Sequence, residues 1–159
     1  MIHIDRYEKI WIGFSIAMLA GLLIAVTVMA FGYGIQLPVE FGRVDPKTVA
    51  TPGVSPFGEP GLRELAPGKY DAYVLAQAWR FTPNEIRLKV GDTVTFYFTS
   101  TDVQHGVKIT GTNINMMILP GQVSRLTHKF ENAGEHVVIC HEYCGAGHHT
   151  MFAKIIVEP

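Results

Sequence analysis

The chain has 159 residues, a formal net charge of −1 and only 17% charged residues. Nothing in that balance suggests nucleic acid or another polyanion as a partner, since such partners call for a basic surplus. The length suits one ordinary domain plus an appendage.

Residues 1–9 form a short polar lead, read as a helix start at a membrane surface, with His3 in the tail. Residues 10–39 then carry no charge. That run exceeds the roughly 20 residues needed to cross a bilayer. A core helix apolar on every side would need a larger protein around it. A cleaved signal would have a shorter apolar region and a small-x-small site, and none is clear here. The reading is a retained transmembrane helix with Trp11 and Tyr33 in the interfacial belts. Arg6 and Lys9 before it balance Arg43 and Lys47 after it, so charge does not orient it.

A connector follows over 40–69, with Pro46, Pro52, Pro56, Pro60 and Pro67 and several glycines. Proline removes amide donors and disfavours helix in the residue before it, so this stretch runs extended or turning. It is read as an ordered wrap against a partner rather than a disordered linker.

From Tyr70 the pattern becomes short apolar runs split by turn residues, the mark of an antiparallel sandwich and a mainly β fold. Strands are expected over 70–79, 85–90, 93–99, 123–130, 135–139 and 151–157, with another beginning at His105. The 85–90 run alternates polar and apolar residues, as a sheet with one wet face requires. The third part of the chain is therefore the β domain of residues 70–159. No nucleophile with a base, no carboxylate pair and no phosphate loop is present.

Between the last two expected strands lies Cys140-His141-Glu142-Tyr143-Cys144-Gly145-Ala146-Gly147-His148-His149-Thr150-Met151. It holds both cysteines of the chain. Thiolate, imidazole and thioether together select copper, because soft sulfur holds Cu(I) and imidazole tolerates both oxidation states. Gly145 and Gly147 are expected to supply the bends that return His148 and Met151 to the cysteines. His105, in Asp102-Val103-Gln104-His105-Gly106, offers a second imidazole. Three other readings compete: a Cys140–Cys144 disulfide, a Cys2His2 zinc site, and two inert buried thiols. None of them needs Met151, and neither the disulfide nor the inert pair uses His105 or His148. Copper uses all five residues. His128 and His136 are expected on strand surfaces, and His141 and His149 without a ligand role.

Cys-x-Glu-x-Cys-x3-His-x2-Met, preceded by Asp-Val-x-His-Gly, resembles the dinuclear copper (CuA) domain of cytochrome c oxidase subunit II. The match runs from about Tyr70 to Val157 and includes Gly91-Asp92, Ile114-Asn115, Pro120-Gly121 and Gly134-Glu135 in the family's order. The resemblance implies a cupredoxin-like Greek-key β-sandwich. It implies that Cys140 and Cys144 bridge two coppers, with His105 and His148 as terminal imidazoles. Met151 would be a weak axial thioether and the Glu142 carbonyl a weak axial oxygen. In many members a glutamate at the Glu142 position also offers its side chain to a magnesium ion, whereas others lack it. One helix and a short chain are most similar to the B-type (ba-type) haem–copper oxidases.

Such a subunit accepts electrons from cytochrome c and passes them to haem in subunit I, where a haem–CuB centre reduces oxygen. It sits in a prokaryotic plasma membrane with its N-terminus cytoplasmic and its copper domain outside. A small accessory helical subunit is a further expected partner. Trp79, in Ala78-Trp79-Arg80-Phe81, is expected where electrons enter. The rivals are the CuA subunit of a nitric oxide reductase and a membrane-anchored copper carrier. Nitrous oxide reductase is disfavoured for want of its propeller domain.

Overall fold

A computed structural model describes residues 5–32 and 39–159, so His3 and Tyr33 lie outside the described residues. The chain divides into two compact units, residues 1–36 and 37–159.

The first unit is one helix, α1 (Arg6–Gly32), that buries none of its residues. Its start is built by a reciprocal cap. Asp5 Oδ1 accepts from the amides of Tyr7 and Glu8, and Glu8 Oε2 accepts from the Asp5 amide. These bonds satisfy amides that have no partner within the helix. At 1.5 Å per residue its 27 residues extend about 40 Å, more than a hydrocarbon core requires. Its apolar side chains, Trp11, Leu19, Leu22, Leu23 and Ile24 among them, are exposed all round. The chain thus fits a single-pass membrane protein.

The second unit is a two-sheet sandwich. Its strands are β1 (Val39–Arg43), β2 (Gly61–Ala66), β3 (Lys69–Gln77), β4 (Arg80–Thr82), β5 (Glu85–Lys89), β6 (Thr93–Ser100), β7 (His105–Ile109), β8 (Asn115–Ile118), β9 (Gln122–Lys129), β10 (Gly134–Ile139) and β11 (Phe152–Glu158). One sheet runs β1-β9-β6-β3-β2 with β4 on β3, and the other runs β5-β11-β10-β7-β8. Most neighbours are antiparallel, but β3–β6 and β5–β11 are parallel, and this crossing between sheets closes the Greek key. Strands facing one wet side alternate: β5 buries Ile86 and Leu88 and exposes its charges. Their inward side chains, including Phe96, Phe98, Ile109, Ile118, Phe130 and Ile155, form the main core.

β6 departs from alternation, and its second half is buried on both faces. The connector explains this. β1 and β2 add to the two edges of the first sheet, and the stretch between them, with a 3₁₀ turn (Pro56–Gly58), covers that sheet's outer face. There Val49 and Phe57 pack with Leu75, Tyr97 and Val123 in a second small core. Tyr73 stacks on Tyr97 at 4.9 Å, and Phe57 meets Tyr73 edge-on at 5.4 Å.

The strand expected over 70–79 ends at Gln77, because Ala78 and Trp79 turn the chain into β4. His128 and His136 lie on strands as expected, though not fully exposed. Both are half-buried, because each ring packs edge-on against the buried Phe130.

Candidate metal centre

One end of the sandwich gathers the donors. His105 opens β7, paired across to Ile118 of β8, and its ring points into the core with 0% exposure. Cys140 follows β10 directly and Met151 precedes β11 directly, and these two strands pair along their length. The strand pair therefore brings the ends of the loop together, and the Cys140 amide donates to the Met151 carbonyl at 3.2 Å. Within the loop a 3₁₀ turn (His148–Thr150) aims His148 back at Cys144.

The atoms converge. Sγ of Cys140 lies 3.8 Å from Sγ of Cys144, 4.0 Å from His105 Nδ1 and 3.3 Å from the Glu142 carbonyl oxygen. Sγ of Cys144 lies 3.5 Å from His148 Nδ1 and 3.7 Å from Met151 Sδ. Cys140, Cys144 and Met151 are 4%, 7% and 2% exposed. Among the described residues, His105, Cys140 and Cys144 form the one preassembled group of three or more His, Cys, Asp or Glu donors. The structure thus brings together His105, Cys140, Glu142, Cys144, His148 and Met151.

Both cysteines are free, and sulfurs 3.8 Å apart are far outside disulfide bonding distance. Burial raises the Cys144 thiol well above the usual thiol range, and the neighbouring Cys140 raises it further. Two thiolates side by side in this apolar surround need a cation between them. A thioether beside them suits copper rather than zinc, since soft sulfur donors favour Cu(I). The donor set fits copper.

Two further features surround the donors. Asp102 fixes His105: its Oδ1 accepts from His105 Nε2 at 2.9 Å, leaving Nδ1 facing the sulfurs. Its Oδ2 accepts the Ala78 amide at 2.6 Å, and Ser100 Oγ and the Val103 amide complete its shell. Burial alone would raise this carboxyl, but the hydrogen bonds from His105, Ala78, Val103 and Ser100 outweigh it and hold Asp102 below the usual carboxylate range. An acid three residues before a ligand histidine is the signal that could have found it.

The second feature is the seat of Trp79. Its Nε1–H donates to the Cys144 carbonyl at 3.1 Å, and the ring remains 44% exposed. The indole lies on the ligand loop so closely that a Cβ at Gly147 would enter the ring. Gly145 is a bend as expected, with φ +113°, but Gly147 is required for this close approach instead. His141 likewise packs its ring where a Gly106 Cβ would stand, which is why it serves packing beside His105.

Comparison with known proteins agrees with this geometry. Residues 70–159 match the family described as cytochrome c oxidase subunit II, periplasmic domain. Cytochrome c oxidase subunit 2 of Thermus thermophilus is 42% identical over 156 residues, covering 96% of this chain and 92% of that protein. A chain of a haem–copper terminal oxidase dimer solved by cryo-EM superposes with TM-score 0.81 at 38% identity, covering 96% of this chain and all of that one. The periplasmic domain of cytochrome oxidase subunit II of Bradyrhizobium japonicum shares the sandwich fold, at TM-score 0.51 and 18% identity over 55% of this chain and 82% of that one.

Proposed function

This chain belongs to the cytochrome c oxidase subunit II family and is a subunit of a haem–copper terminal oxidase, and from that premise we propose how its residues hold copper and deliver electrons. Cys140 and Cys144 would hold the two copper ions through their thiolates, with His105 and His148 supplying imidazoles, Met151 its thioether and Glu142 its carbonyl oxygen. The observation that carries this is the convergence of two buried sulfurs 3.8 Å apart, each with its own imidazole within 4.0 Å.

Copper held this way supplies a one-electron couple shared between two metals. The protein does the rest. Burial of His105, Cys140, Cys144 and Met151 keeps water from rearranging when charge changes. Asp102 holds the tautomer and tilt of His105. Trp79 is where single electrons from cytochrome c enter: it is half-exposed, apolar and joined by its indole N–H to the carbonyl of Cys144. Electrons then pass to haem in subunit I, which with CuB reduces oxygen.

The parts of the chain follow this task. Residues 1–39 anchor it in the lipid bilayer with the N-terminus cytoplasmic, 40–69 connect, and 70–159 carry copper on the outer face of a prokaryotic plasma membrane. The periplasmic family domain and the unburied helix α1 support that orientation.

The test is an EPR spectrum of the detergent-solubilised full chain loaded with copper. Hyperfine coupling to two equivalent coppers is the expected result. A spectrum of one copper nucleus would overturn the bridging assignment.

A further inference from the structure

The end of the sandwich away from the cysteines holds a second pair of imidazoles. His128 stands near the end of β9 in one sheet, and His136 near the start of β10 in the other. With Gly111, Lys129, Phe130, Glu131 and Asn132 they line a cleft of about 160 Å3. That volume holds an ion and several waters.

Each ring has one nitrogen already engaged. The Thr110 carbonyl accepts from His136 Nδ1 at 2.7 Å, and Asn113 Oδ1 lies 3.2 Å from His128 Nδ1. Carbonyl acceptors place the proton on Nδ1 and leave the lone pair on Nε2. This is the arrangement by which metal-binding histidines are usually oriented. Phe130 fixes both ring planes, edge-on at 4.9 Å to His128 and 5.2 Å to His136. Burial, and then the neighbouring His136, lower the His128 pKa below its ordinary value, so this imidazole is neutral near neutral pH. At the mouth, Glu131 is exposed and makes a loose 3.7 Å ion pair with the exposed Lys129.

We propose that this cleft binds a divalent first-row transition ion of the zinc type, through Nε2 of His128 and of His136, with the Glu131 carboxylate turning in as a third ligand. Imidazole and carboxylate donors with open positions for water suit such an ion. These donors are not drawn together as tightly as those of the copper end, so Glu131 has to leave Lys129 and binding is weaker. An ion here ties one sheet to the other across the turn between β9 and β10.

The test uses the full chain in detergent with its copper centre loaded, dialysed against zinc chloride at micromolar free metal, with zinc and copper counted by elemental mass spectrometry. One zinc per chain beyond the copper is expected, with the copper spectrum unchanged and the melting temperature raised. His128→Gln and His136→Gln should each weaken that zinc by roughly tenfold or more, and Glu131→Gln by less. Because His136 also packs on Phe130, the wild-type protein gives a second reading: zinc should shift the ring resonances of His128 and His136. No added zinc, unchanged affinity in both histidine variants, or unshifted ring resonances would each overturn the proposal.

Discussion

The sandwich has histidines at both ends, but the two ends hold them differently. At the copper end His105 is wholly buried, and its ring is fixed by Asp102 at one nitrogen while the other faces the Cys140 sulfur. At the far end His128 and His136 are half-buried, and an exposed glutamate must move before a third donor joins them. The contrast arises in the backbone. The copper loop is closed by the Cys140 amide on the Met151 carbonyl, and both residues adjoin paired strands. Donors mounted so near the sheet are held in place before any metal arrives. The far end instead relies on one aromatic ring and a turn open to water. Preassembly therefore follows from where a loop leaves its strands, more than from which donors it contains.

The largest effect that separates the two ends is loss of a bridge. Cys144 is the sulfur within 3.7 Å of both His148 and Met151, so Cys144→Ser should leave at most one copper and a mononuclear spectrum. Metal counting with EPR checks this, and two coppers retained in the variant would break the bridging assignment. At the other end, Phe130→Ala should cost about 3–5 kcal/mol of unfolding free energy by emptying a fully buried aromatic site. Denaturant titration reads that cost, and the visible spectrum of the surviving folded protein should be unchanged if the ends are independent.

A smaller effect falls on electron input. Trp79→Ala should slow cytochrome c oxidation by roughly tenfold or more, as loss of an interface anchor does, while small mediators still reduce the copper. Gly147→Ala should act the same way by displacing the indole that lies on it. Normal cytochrome c kinetics in stable, copper-loaded variants would remove Trp79 from the route.

The ends should also titrate in separate windows. The His128 pKa is depressed in the folded state, so its contribution to stability is present above about pH 6.5, its unfolded value, and is lost as pH falls through the lower folded value. Asp102 is depressed too, but from an ordinary carboxylate value, so its contribution persists until pH falls below about 3.8. The denaturation midpoint of metal-free protein should therefore decline from near pH 6.5, and His128→Asn should flatten that first decline. The Asp102→Asn variant should leave it unchanged.

The smallest expected effect is that of salt. The polar lead carries Asp5 and Glu8 against Arg6 and Lys9, so the β domain keeps the chain's formal charge of −1. Long-range steering is then weak, and turnover with cytochrome c should fall only mildly as ionic strength rises. A steep fall would reveal an acidic cluster around Trp79.

Much of this molecule was determined by neighbours along the chain. The uncharged run spelled α1, period-two alternation spelled β5, short apolar runs between turn residues spelled β6, β9, β10 and β11, and the spacing of Cys140, Cys144, His148 and Met151 spelled a site that one short loop can close. These signals are local, since a helix, a strand and a loop each depend on residues a few positions apart. The tertiary structure alone decided who lies across from whom. It set Trp79 against Cys144 over a separation of 65 residues, and Ala78 against Asp102 over 24. It set β1 and β2 at the edges of one sheet and laid the proline-rich stretch between them over that sheet's outer face, burying Tyr97 where alternation predicts exposure. It brought His128 and His136, from different sheets, edge-on against the buried Phe130, which half-buries both. Such contacts depend on packing between distant segments, and no spacing within either segment encodes them.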